Sequence, residues 1–169
     1  LLEKGYTVRL TVRDKNKTQK YKHLQNISDD SKGTLELWEA NLLKEGSYNE
    51  SAEGADAIIH MASPFTLKFD DAKEELLKPA INGTRNVLEA ANNSSTVKKV
   101  ILTSSVAAVH GDAIDMKELG IDEFDESHFN YSSSEDHSPY SYSKVAAEKE
   151  AWKIHDEQDQ WKLVVINPS

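Results

Sequence analysis

The sequence has no cysteine. That excludes disulfides and cysteine-held zinc and agrees with a reducing compartment, so a cytoplasmic location is expected. Basic charge is short too: 20 Lys and Arg stand against 29 Asp and Glu, a net charge of −9. Such a balance gives no electrostatic footprint for nucleic acid. No apolar run approaches a membrane span, and no signal peptide opens the chain, so no membrane partner is expected. The six histidines lack metal-ligand spacing, so no metal is expected. Internal repeats and low-complexity tracts are also missing. What remains is 169 residues, 38% hydrophobic and 29% charged, enough for one soluble domain with a core.

Hydrophobic patterning divides the chain into alternating elements. Tyr6 to Arg13 alternates and is rich in β-branched residues, which predicts a strand. A helix is expected over Asp14 to Asn26, a loop to Gly33, and a strand over Thr34 to Trp38. Ser47 to Glu53 reads as a short helix, with Ser47 as cap facing Glu50. Ala55 to Met61 is a strand apolar enough for burial on both faces. A long helical region covers Asp70 to Asn93, with Pro79 bending it or opening its second half. Val97 to Thr103 is a strand, Gly111 to His137 a polar stretch with little periodicity, Pro139 to Gln158 a helix, and Trp161 to Ile166 a last strand. This alternation predicts an α/β fold: a doubly wound parallel sheet, with ligands at the carboxyl ends of the strands.

One helix brings together two groups suited to proton transfer. Ser138 can cap it and Pro139 suits its first position. Tyr140 and Lys144 are four residues apart, so they leave the same face. An ammonium beside a phenol favours the phenolate, giving a proton donor or acceptor usable near neutral pH. Tyr142 has Ala146 at the corresponding position and cannot play this part.

Five segments together resemble an extended short-chain dehydrogenase/reductase of the NAD-dependent epimerase/dehydratase superfamily. The likeness is to its dihydroflavonol reductase, cinnamoyl-CoA reductase and methylglyoxal (carbonyl) reductase branch. They are Gly5 to Asp14, His60-Met61-Ala62-Ser63-Pro64, Asn82 to Ala90, Leu102 to Ser105, and Ser138 to Glu148. The resemblance implies a Rossmann-like domain and an oxidoreductase acting on CH–OH groups. It implies Ser105, Tyr140 and Lys144 as catalytic residues. Ser105 would hydrogen-bond the substrate carbonyl oxygen, Tyr140 would protonate it, and Lys144 would tune the tyrosine and hold the nicotinamide ribose. Two placed donors are what a carbonyl oxygen gaining charge requires.

Cofactor contacts follow from the same likeness. Arg13 ends the first strand, where an arginine accommodates a 2′-phosphate and an acid binds ribose hydroxyls. With Lys20 as a further phosphate-binding residue, Arg13 implies NADP(H); Asp14 beside it leaves NAD(H) as the second choice. Asn41 and Leu42 stand where the family has Asp-Leu near the adenine. Met61, Ala62 and Ser63 would run past the ribose and pyrophosphate, Thr103 and Pro168 close later strands on the same edge, and Asn82 resembles an asparagine on the family's site-facing helix.

Leu1 to Gly5 reads as a last helical turn stopped by glycine, and the family's glycine-rich phosphate loop is not among the 169 residues. The chain is therefore expected to be a partial Rossmann-like domain over 1–169. It would lack the first strand, whose place lies between the strands at Tyr6 and Ala55, and a later substrate region. Alone, it is expected to fold poorly and bind no cofactor. The activity implied is NADP(H)-dependent reduction of a small aldehyde or ketone by a monomer or homodimer. The alternatives are a nucleotide-sugar epimerase or dehydratase with bound NAD, and a non-catalytic NADP-sensing protein.

Overall fold

A computed structural model describes residues 1–63 and 69–169. Among these described residues five parallel strands alternate with helices. They are β1 (Thr7–Val12), β2 (Thr34–Glu39), β3 (Ala57–His60), β4 (Lys99–Thr103) and β5 (Lys162–Ile166). Among the described residues they form two sheets, β1–β2 and β3–β4–β5. The break falls between β1 and β3, the place expected from the strand order of the fold.

The helices are α1 (Lys22–Asp29), α2 (Asn49–Ala52), α3 (Lys78–Asn93), α4 (Ile114–Leu119) and α5 (Pro139–Asp156). The first turn ends as its sequence predicts: Gly5 takes a left-handed φ of 86° after a 3-10 turn over Leu2–Lys4. Helix α1 starts later than expected. Asp14 instead closes a turn, its side chain accepting from the Asn16 N–H at 3.0 Å and its carbonyl from the Lys17 N–H at 3.3 Å. Ahead of α3 lies a π-helical turn, Lys73–Leu77. Pro79 in the first turn of α3 cannot donate to the carbonyl of Glu75 and crowds it, which accounts for the widening. Helix α4 was not expected in the polar stretch; Gly120, left-handed at φ 67°, ends it.

The core is one cluster. Val87, Leu88 and Ala91 of α3 and Ala151 and Ile154 of α5 pack on Val100, Leu102 and Leu163 of the three-stranded sheet, with Trp161 fully enclosed. Trp161 donates its indole N–H to Asn92 at 2.8 Å, so its polar end is satisfied as well. On the opposite face Ile59, Val164 and Ile166 are exposed. Strand β3 is therefore buried on one face only, because α3 and α5 both lie on that side. The two sheets are tied through Arg9 of β1, which donates to the carbonyls of Ser51 and Glu53 around α2 and pairs with Glu36 of β2 at 3.3 Å.

Candidate active site

The strands of the three-stranded sheet deliver their carboxyl ends to one edge, where a narrow cleft opens. It is lined by His60, Ala62 and Ser63 after β3, Thr84 of α3, Leu102 to Ser104 of β4, and Lys144, Ala147 and Glu148 of α5. Alternation along β3 turns His60 inward, and the four-residue period of α5 presents Tyr140, Lys144 and Glu148 as one stripe. His60, Thr84, Lys144 and Glu148 are all buried, an unusual density of polar groups for a core edge.

Lys144 holds its ammonium nitrogen 5.7 Å from the centre of the Tyr140 ring. Burial pushes the Lys144 pKa below its ordinary value. Burial, and then the Lys144 charge, lower His60 to about 4, so its imidazole is neutral at physiological pH. Ser105 leaves β4 in extended backbone and caps the 3-10 turn Val106–Ala108, its hydroxyl oxygen accepting from the Ala107 N–H at 3.2 Å. That turn packs on α5, so the serine segment and the Tyr140 helix share an interface. Helix α5 opens at Pro139 as expected, but Ser138 does not cap it with its side chain; Ser138 sits in the left-handed region at φ 54°.

The remaining residues fall around this cleft unevenly. Ala62, Ser63 and Thr103 line it. Met61 is 71% exposed, and Pro64 lies outside the described residues. Pro168 is exposed and accepts from the Val106 N–H at 2.9 Å through its carbonyl. Arg13 is exposed at the end of β1, close enough to Tyr48 to oppose the upward push that burial gives that phenol. Among the described residues Arg13 forms no ion pair, whereas Asp14 is engaged by Lys17 at 3.6 Å. Lys20 is exposed in the turn Thr18–Lys20.

Asn41 is already occupied: its side chain accepts from the Leu43 N–H at 3.0 Å, and its backbone N–H and carbonyl engage the Ser47 hydroxyl. Ser47 thus closes this loop instead of capping α2. Leu42 packs over Gly83, where a Cβ would come within 2.5 Å of the leucine Cγ. Asn82 is exposed and hydrogen-bonded by Arg85 at 3.4 Å; the residue of α3 that enters the cleft is Thr84.

Asn86, one turn on from Asn82, holds the Asn41 loop. Its amide donates to the carbonyls of Leu42 at 3.2 Å and Lys44 at 2.6 Å and accepts from the Gly46 N–H at 2.9 Å. Sequence reasoning missed Asn86, His60, Thr84 and Glu148 as site-shaping residues. The signal for Glu148 was available in the four-residue spacing that marks Tyr140 and Lys144. No group of three or more His, Asp or Glu fit to hold a metal occurs among the described residues. No helix there is long and apolar enough to cross a membrane.

Comparison with known proteins shows the family and the fold. The model of the NAD dependent epimerase/dehydratase family matches residues 1–169. The chain is 40% identical to a cinnamoyl-CoA reductase of Medicago truncatula, over all of this chain and 51% of that protein. It is 38% identical to a dihydroflavonol 4-reductase of Gerbera hybrida, over 90% of this chain and 41% of that one. Among solved structures, Gre2 of Candida albicans in complex with NADPH superimposes with a TM-score of 0.79 at 32% identity, covering 98% of this chain and 51% of that one. Yeast methylglyoxal/isovaleraldehyde reductase Gre2 with NADPH gives 0.77 at 25% identity, over 99% of this chain and 52% of that one. The chain thus spans about half the length of the relatives it matches.

Proposed function

Because this chain belongs to the NAD dependent epimerase/dehydratase family, we propose that it forms part of an NADPH-dependent reductase converting an aldehyde or ketone to an alcohol. The observation that carries this reading is the pairing of Tyr140 with a buried Lys144 whose side chain lines the cleft at the strand ends. Arg13, which forms no ion pair among the described residues, fits a 2′-phosphate, and Ala62 and Ser63 put small side chains at the strand ends.

When bound, NADPH would supply the hydride that attacks the carbonyl carbon. The carbonyl oxygen then gains charge. The Ser105 hydroxyl, whose oxygen already accepts from Ala107, has its hydrogen to give to that oxygen. Tyr140 delivers the proton that completes the alcohol. The Lys144 ammonium, held against the ring out of bulk water, stabilises the phenolate left behind.

The test is NADPH oxidation by the native protein against a panel of aldehydes and ketones, with a UDP-sugar as control. Carbonyl-dependent NADPH loss is expected. Conversion of the sugar nucleotide without net loss of cofactor would assign an epimerase. Cofactor binding without any turnover would assign a sensing role.

A further inference from the structure

Glu148 is one turn beyond Lys144 and two beyond Tyr140 on the same stripe of α5, and is only 5% exposed. A buried carboxylate needs a donor, and here it is Asn167, which follows β5. The Asn167 amide nitrogen donates to Glu148 Oε2 at 2.9 Å and to the backbone carbonyl of Ser105 at 3.1 Å. One planar NH2 group therefore spans the serine segment and the helix of Tyr140. Its two hydrogens diverge at a fixed angle, which fixes the relative placement of the two acceptors. Backbone bonds reinforce the serine end: Ser104 N–H to Ile166 O at 2.8 Å and Val106 N–H to Pro168 O at 2.9 Å.

We propose that Asn167 and Glu148 are positioning residues that set the distance between the Ser105 hydroxyl and the Tyr140–Lys144 face of α5. The proposal rests on the carbonyl-reductase reading for its catalytic consequence, though the strap itself is a property of the fold. Neither side chain needs to touch substrate. Both donors to the carbonyl oxygen must be in place together, and small misplacements of such groups are costly.

The test uses the native protein and three variants. Asn167→Asp keeps the shape but loses both hydrogens and sets one carboxylate against another. Glu148→Ala removes the acceptor, and Glu148→Gln retains an acceptor oxygen. Asn167→Asp and Glu148→Ala are expected to lower kcat by about 10- to 100-fold while the Kd for NADPH stays near the wild-type value. Glu148→Gln is expected to recover most of kcat. Amide hydrogen exchange over Val106 to Val109, read in parallel, is expected to quicken in the first two variants only. A loss of thermal stability with kcat per folded molecule unchanged would overturn the proposal, as would unaltered exchange. If the wild-type protein reduces no carbonyl, the functional reading fails, and the exchange data still decide the strap.

Discussion

Lys144 places its ammonium nitrogen over the ring of Tyr140, 5.7 Å from the ring centre and one turn further along α5. The charge there is held against a cost, since burial alone lowers the Lys144 pKa. Lys144→Met keeps the length of the stem and removes the charge. It is expected to cut kcat by about 100-fold or more while the melting temperature holds or rises. A parallel loss of both would mean that Lys144 serves packing, and kcat with melting curves would show it.

The histidine beneath that lysine predicts an acid-sensitive fold. His60 titrates near 4 when folded and near 6.5 when unfolded, chiefly through burial and then through the Lys144 charge. Between these values the unfolded chain binds the extra proton. Stability from this source is therefore complete above pH 6.5 and falls as pH drops to about 4, by about 3 kcal/mol at most. His60→Gln is expected to flatten that decline, compared with wild type in urea unfolding of the native protein at pH 7 and pH 4.5. Glu148 lines the same cleft and is unchanged in both proteins, so the difference isolates His60.

Arg13 projects from the end of β1 with no acid partner among the described residues, while the adjacent Asp14 is turned into its own loop. Arg13→Ala is expected to weaken NADPH binding by about 10- to 100-fold, the worth of a charge-assisted contact, and to leave NADH binding nearly unchanged. Fluorescence titration with both cofactors checks this. Equal losses for the two would remove Arg13 from phosphate recognition.

Gly83 lies inside a helix, where alanine ordinarily adds about 1 kcal/mol. Here the added methyl would sit 2.5 Å from Leu42 Cγ. Overpacking of about 1–3 kcal/mol outweighs the helical gain, so Gly83→Ala is expected to destabilise by about 1 kcal/mol. Denaturant midpoints would measure it, and a gain in stability would show that the Leu42 loop yields freely.

The parts that the sequence revealed are those governed by local rules. Short apolar runs rich in Val and Ile marked β4 and β5, and a four-residue spacing put Tyr140 and Lys144 on one face. Helix α4 escaped notice because its anchor is polar: Asp115 is buried and accepts from the Ser132 hydroxyl at 2.7 Å. His60 and Thr84 escaped for a related reason, since burial of a polar side chain depends on which elements meet over it. Asn82 and Asn86 are alike in type and one turn apart. Only packing against the Asn41–Gly46 loop decides that Asn86 is enclosed and Asn82 is exposed.

Tyr140→Phe in the native protein tests the central claim most directly, because it removes one oxygen and leaves the ring beside Lys144. Carbonyl-dependent NADPH oxidation is expected to disappear while NADPH still binds with its wild-type Kd. Turnover at the wild-type rate would show that the substrate oxygen takes its proton from another group.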